Sequence, residues 1–210
     1  MKLTIFGASG QTGVCLVAQA LQLGHSVTAF VRNPSSIATR HENLDVVGGD
    51  VGDAEAVRRV INGRDVALLA LGVKMGVADQ VCTIATANVV PAMQEFGVRR
   101  LINIGGMGTG AARDQLSAFG KLIAGGLRML DRHAFRDKES QEVLIRNSGL
   151  DWINVCPPWL TNGPLTGVYR FGADLRPPVT AQISRADVAD FMLKQMTDAT
   201  FVGKNPILYY

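Results

Sequence analysis

The sequence predicts an α/β fold: a doubly wound, mostly parallel sheet in three layers. Three observations predict it. Short apolar runs alternate with segments of helical period along the whole chain. The run Val66-Ala67-Leu68-Leu69-Ala70-Leu71 is apolar without alternation, as a strand covered on both faces should be. Residues 1–33 read as strand, glycine-rich turn, helix and second strand. Right-handed crossovers then favour the strand order 3-2-1-4-5-6.

The first unit carries the most chemistry. Lys2-Leu3-Thr4-Ile5-Phe6 is long enough for one buried strand. Gly7-Ala8-Ser9-Gly10-Gln11-Thr12-Gly13 follows it, and Val14, Val17, Ala18 and Leu21 then recur at helical spacing up to a stop at Gly24. A second strand covers 26–31. A diphosphate can approach backbone closely only where no Cβ intrudes. The free N–H groups and the dipole of a helix start favour its negative charge. Gly7 is expected to make the tight turn, Gly10 the close approach and Gly13 the helix–strand contact. The spacing is G-x-x-G-x-x-G rather than the G-x-G-x-x-G of the dinucleotide fingerprint, so its place between strand and helix carries the argument.

An NAD site places a carboxylate at the end of the second strand, on the ribose 2′-hydroxyl. Here Arg32 and Asn33 stand there, and no acidic residue lies between Val14 and Arg40. A forked guanidinium can pair a 2′-phosphate, so NADP(H) is the expected cofactor. The plainer alternative is a solvated loop arginine.

Further along, Asn33 begins a short helical turn through Ala38, and 43–47 read as a third strand. Asp53 caps a helix bearing Ala54, Val57, Val60 and Ile61, stopped by Asn62-Gly63. A fourth strand covers 65–71. Asp79 is expected to cap a long helix bearing Val81, Ile84, Ala85, Val89, Ala92, Met93 and Phe96, disturbed at Pro91 and stopped at Gly97. A fifth strand covers 100–104. A helix over 137–148 leads to a sixth strand over 151–156, which Pro157-Pro158 ends. Ser184-Arg185-Ala186-Asp187 resembles a capping box and starts the last helix, and 206–209 is a candidate edge strand.

Two stretches at the carboxyl ends of strands, about 105–130 and 158–183, are candidate substrate loops within one domain covering 1–210. The first holds Gly105, Gly106, Gly108, Gly110, Gly120, Gly125 and Gly126, which would let it close over a ligand. An ordinary loop followed by a poorly capped helix explains it equally well.

The composition narrows the class. The chain has 210 residues, 47% of them hydrophobic, enough for a large core. A net charge of +3 is too mild to argue for nucleic acid or a membrane, although it suits an anionic cofactor. Cys15, Cys82 and Cys156 are widely spaced and read as reduced, buried thiols of a cytoplasmic protein. No metal-ligand spacing joins them to His25, His41 or His133.

With these residues in view the chain resembles the atypical short-chain dehydrogenase/reductases, in their NAD(P)-binding, NmrA-like branch of Rossmann-like fold. Within that branch it is most similar to the flavin and biliverdin reductases. The markers are residues 5–13, Val31-Arg32-Asn33, Gly49-Asp50-Val51, Leu71-Gly72, Ser148-Gly149-Leu150, Pro157-Pro158, Ile183-Ser184-Arg185-Ala186-Asp187 and, most specifically, Pro164-Leu165-Thr166-Gly167-Val168-Tyr169. The resemblance implies that Gly7, Ser9, Gly10, Gln11, Thr12 and Gly13 hold the diphosphate. Arg32, followed by Asn33, would meet the 2′-phosphate. Asp50 and Val51 would flank the adenine, Leu71 and Gly72 the cofactor path, and Pro157 the nicotinamide end.

Two departures bear on mechanism. Members with alcohol-dehydrogenase activity use a Tyr-x-x-x-Lys pair. Here Lys138 stands in a family-like position but Ala134 replaces the tyrosine. A Thr-Ser pair of the reductases after the fifth strand reads Gly105-Gly106. Lys138 is thus the remaining catalytic candidate; ribose orientation, a structural ion pair or a solvated lysine are its alternatives. The function implied is NADPH-dependent hydride transfer to an aromatic acceptor: a flavin, a linear tetrapyrrole or a quinone. A cofactor-binding regulator without turnover is the alternative. Neither nucleic acid nor membrane is an expected partner, and the oligomeric state is left open with a monomer favoured.

Overall fold

The computed structural model describes residues 1–73 and 77–210. Ten strands and six α-helices are present among them. Strands β1 (Lys2–Phe6), β2 (Ser26–Val31), β3 (Leu44–Gly48), β4 (Val66–Leu69), β5 (Arg100–Ile104) and β6 (Asp151–Val155) form one parallel sheet in the order β3-β2-β1-β4-β5-β6. This is the expected order. Strand β3 is shifted one residue from 43–47, and β4 is shorter than the apolar run that contains it. The run continues past Leu69 because it forms the edge of a groove.

Alternation along the strands divides the core in two. Leu3, Ile5, Val27, Ala29, Val66, Leu68, Ile102 and Ile153 pack against α1 (Gln11–Gln22) and α6 (Arg185–Lys194). Phe6, Phe30, Ala67, Leu69, Leu101 and Trp152 pack on the other face against α2 (Ala54–Ile61), α3 (Val81–Glu95) and Ile145 of α5 (Arg132–Arg146). Each fully buried side chain such as Leu16 or Leu68 stabilises the fold by about 1.5–3 kcal/mol.

Helix starts and stops follow local chemistry. Asn33 caps a 3-10 turn over Pro34–Ser36 by accepting from Ser35 N at 3.1 Å. Asp53 caps α2 through Ala56 N, also at 3.1 Å. Ala56, not Ala54, is the buried alanine of that helix. Gly24, Gly63 and Gly97 all take left-handed φ after helix ends.

Helix α3 departs from expectation. Asp79 does not cap it; the residue before it, Gln80, is left-handed and makes no cap bond. The cap comes from another helix. Asp137 of α5 accepts from Cys82 N at 2.9 Å and from Thr83 N at 2.8 Å. The buried stripe uses Cys82, Thr86 and Val90 beside the expected Ala85, Val89, Ala92 and Met93, while Ile84 is exposed. Pro91 lies within α3, which continues across it to Glu95.

The segment 105–130 is more ordered than a loop. It holds a 3-10 turn over Gly110–Gln115 and helix α4 (Ala118–Leu130), capped by Ser117 through Gly120 N at 3.1 Å. Helix α5 begins at Arg132 rather than near 137, because Asp131 caps it through Ala134 N at 3.0 Å.

The C-terminal part adds two small sheets. Strand β7 (Trp159–Thr161) runs parallel to β9 (Gln182–Ser184), and β8 (Arg170–Gly172) pairs antiparallel with β10 (Ile207–Tyr209). Strand β10 itself pairs with β8, while the segment 203–206 before it runs along the β6 edge of the main sheet, with Gly203 N donating to Trp152 O and Cys156 N to Pro206 O, both at 2.8 Å. At the start of α6, Ser184 accepts from Asp187 N at 3.0 Å as expected. The reciprocal bond is absent: Ser184 N donates to the Tyr210 hydroxyl instead. Asp187 holds the loop before β8, accepting from Thr166 N at 2.9 Å and Gly167 N at 2.8 Å. Cys15 is only half-buried, whereas Cys82 and Cys156 are buried as expected.

Candidate functional site: a dinucleotide groove and an apolar pocket

At the carboxyl ends of β1, β2 and β4 lies a groove of about 320 Å³. Gly7, Ser9, Gly10, Arg32, Asp50, Val51, Leu71 and Gly72 line it, which brings together most of the residues singled out in sequence. Phe30, Gly52, Asp79, Val81 and Ile84 line it too. These were not singled out as site residues because Asp79, Val81 and Ile84 read as ordinary helix cap and core positions.

The glycines divide the work. Gly7 has φ +79°, and a Cβ there would stand 2.5 Å from Ala70 O. A Cβ on Gly13 would stand 2.1 Å from Gly7 O, so α1 can pack against the turn only with glycine at that position. Gly10 precedes α1, whose first turn carries no side-chain cap and no acidic residue. The free N–H groups there are a fit for a diphosphate. Thr12 and Gly13 are buried in α1, and Gln11 is exposed at its first position; none of the three lines the groove. Asn33 is engaged in its cap.

Arg32 is exposed at the groove and makes no hydrogen bond or ion pair among the described residues. Asp50 is held by Gly52 N, 2.7 Å from its Oδ1. Gly49 packs under it, where a Cβ would meet the Phe30 ring at 2.5 Å.

A second cavity, of about 240 Å³, lies beyond β5 and β6. Its walls come from Met107, Leu116, Ile123, Leu127, Phe135, Pro157, Pro158, Trp159 and Val179, with backbone at Gly106 and Gly108. Thr109 is also in the lining, but its hydroxyl donates to Gly106 O at 2.9 Å. The Trp159 indole N–H donates to Val179 O. Among the described residues no ionisable side chain lines this pocket. Pro157 thus lies here and not in the groove.

Lys138 lines neither cavity but bonds to backbone at the ends of β4 and β5. Its ammonium donates to Leu71 O at 2.9 Å, to Ile104 O at 2.8 Å and to Gln141 Oε1 at 3.2 Å. Leu71 lines the groove, and Ile104 precedes the glycines that lead to the pocket. Behind them a buried polar network continues: Gln141 donates to Thr86 Oγ1, and Thr86 donates to Cys82 O. Burial pushes the Cys82 thiol up to about 11, against the nearby charge of Lys138, so it stays protonated at neutral pH. Glu142, buried in α5, holds Ala111 N at 3.1 Å, and burial raises its pKa.

Residues 7–199 match a protein-family model described as NAD(P)H-binding. The chain belongs to this NAD(P)H-binding family. An uncharacterised protein of Mycobacterium tuberculosis (strain ATCC 25618 / H37Rv) is 35% identical to this family member over 103 residues, 49% of the chain. The chain spans only 12% of that relative's length. A short-chain dehydrogenase/reductase of Veillonella parvula, solved in complex with NADP, superposes with a TM-score of 0.81 at 20% identity, over 100% of this chain and 94% of its own. An anaerobillin reductase of Escherichia coli gives 0.81 at 21% identity, over 100% and 97%. At these identities the likeness is one of fold. Among the described residues no helix of this NAD(P)H-binding protein is long and apolar enough to cross a membrane.

Proposed function

We propose that this chain is an NADPH-dependent reductase that delivers hydride to a planar aromatic acceptor of the flavin, tetrapyrrole or quinone class. The observation that carries the reading is the pocket beyond β5 and β6: apolar, partly aromatic, and without an ionisable side chain in its walls among the described residues. Among those residues an acceptor that needs a protein acid would find none. A conjugated ring system that takes its proton from solvent needs only to be stacked and oriented.

The chain's own residues would divide the task as follows. The free N–H groups at the start of α1, with Gly7, Ser9 and Gly10, would hold the diphosphate, and Arg32 the 2′-phosphate. Leu71 and Gly72 would guide the cofactor toward the pocket, where Pro157, Trp159 and Phe135 would orient the acceptor and exclude water. When bound, the nicotinamide supplies the hydride. Lys138 would keep the ends of β4 and β5 in register through its bonds to Leu71 O and Ile104 O. The reductase activity of the anaerobillin-reducing neighbour agrees with this reading.

The same lack of an ionisable wall also suits a sensor that binds the cofactor and turns nothing over. One experiment separates the two. NADPH absorbance is followed with FMN, a quinone and biliverdin offered in turn, alongside a binding titration. Oxidation with any of the three supports the reductase; tight binding with none oxidised supports the sensor.

A further inference from the structure

We propose that the outer face of α4 is a docking surface for an anionic lipid bilayer. Helix α4 has two apolar stripes. Gly120, Ile123, Ala124 and Leu127 face inward and line the apolar pocket. Phe119, Leu122, Met129 and Leu130 form the other, at helical spacings of i, i+3, i+10 and i+11. They are 60%, 70%, 86% and 79% exposed. Single exposed apolar residues are ordinary, but a whole stripe on one helix marks an interaction surface. Gly126 lies between them, and nothing stands within 4 Å of where its Cβ would be, so the face is open.

Charge selects the occupant. Lys121 on α4 and Arg132, His133 and Arg136 at the start of α5 are all exposed, and none makes an ion pair among the described residues. The one acidic residue between 115 and 136 is Asp131, which is buried as the cap of α5. An apolar stripe bordered by unpaired cations, with the partly exposed Glu139 taken up by Arg128 of α4, is the pattern of a helix that lies in the interface of an anionic bilayer. A second copy packed face to face would instead set like charges together. The chain's net charge of +3 conceals this local asymmetry.

The test is co-sedimentation of the whole chain with vesicles of phosphatidylcholine alone or mixed with phosphatidylserine, together with NADPH titration and sedimentation velocity. The chain is expected to bind the mixed vesicles, and more weakly as salt screens the headgroups. The pair Leu122→Gln/Met129→Gln should weaken binding by about tenfold or more, the loss expected for two apolar side chains no longer buried. Lys121→Glu/Arg132→Glu should also weaken it. Both variants should bind NADPH like the wild type, because none of these residues lines the groove. The proposal is overturned by absence of binding to mixed vesicles or by binding that ignores the apolar substitutions. A wild-type dimer that Leu122→Gln/Met129→Gln converts to monomer would also overturn it, because the face would then belong to a second copy.

Discussion

The ammonium of Lys138 donates to the carbonyl oxygen of Leu71 across 2.9 Å. With Ile104 O and Gln141 Oε1 taking its other bonds, each of its three N–H groups has a partner within the protein. Ala134, four residues earlier, offers no hydroxyl for it to activate. The arrangement lets Lys138 brace two strand ends.

Lys138→Met should therefore act on stability first. Two carbonyls would lose a charged donor, at a cost of about 1.5–3 kcal/mol. Urea unfolding should report that loss, while reduction by the folded fraction at saturating NADPH stays within about tenfold of wild type, roughly 1.4 kcal/mol of barrier. A thousandfold loss of the chemical step at unchanged stability would make Lys138 a catalytic residue.

Arg32 offers a cleaner substitution, because it is exposed and has no partner among the described residues to lose. Arg32→Ala should leave the unfolding curve unchanged. If the guanidinium meets the 2′-phosphate, NADPH affinity should fall by about 1.5–3 kcal/mol and NADH affinity hardly at all. Equal losses for both cofactors, measured by titration, would move the 2′-phosphate elsewhere.

The groove was legible in the sequence because its chemistry is local. Gly7, Gly10 and Gly13 are read from one turn, and Arg32 from the end of the next strand. The pocket was not, because its walls are assembled from distant segments: Leu116, Phe135, Pro158 and Val179 share no spacing. The cap of α3 failed for the same reason. Asp79 had the right place in the chain, but Asp137, 55 residues beyond Cys82, reaches that helix end through tertiary packing. Helix α4 was obscured by its three glycines, which lower helix propensity, although Gly120 sits where the inner stripe needs a small residue beside Leu116.

Gly10 and Gly13 should separate binding from folding. A Cβ on Gly13 would overlap Gly7 O at 2.1 Å and Ala8 Cα at 2.8 Å, so Gly13→Ala should destabilise the fold by about 1–3 kcal/mol or more. A Cβ on Gly10 would lie 3.2 Å from Gly7 O, a contact that a small shift relieves. Gly10→Ala should then fold but lose NADPH affinity, as its methyl occupies the close approach. Thermal melts with and without NADPH distinguish the two. A Gly10→Ala protein that NADPH stabilises as fully as wild type would show that the diphosphate lies elsewhere.

Asp187 links stability to pH. Its side chain accepts from Thr166 N, Gly167 N, the Thr166 hydroxyl and, at 2.6 Å, the Tyr210 hydroxyl. Burial works to raise its pKa, but the bonds from Tyr210, Gly167 and Thr166 outweigh burial and hold it below the ordinary 3.8. A carboxyl depressed on folding contributes stability above its unfolded pKa and loses it as pH falls through the folded one. Asp187→Asn keeps an acceptor for the amides but removes the charge. The variant should unfold at lower urea than wild type at neutral pH, and the gap should close in acid, below the ordinary carboxylate range. Amide exchange at Thr166 and Gly167 should quicken in the variant at neutral pH, since those amides would lose their bonds to an ionised acceptor. A gap that stays the same from neutral to acid pH would mean that the charge of Asp187 does not hold this loop.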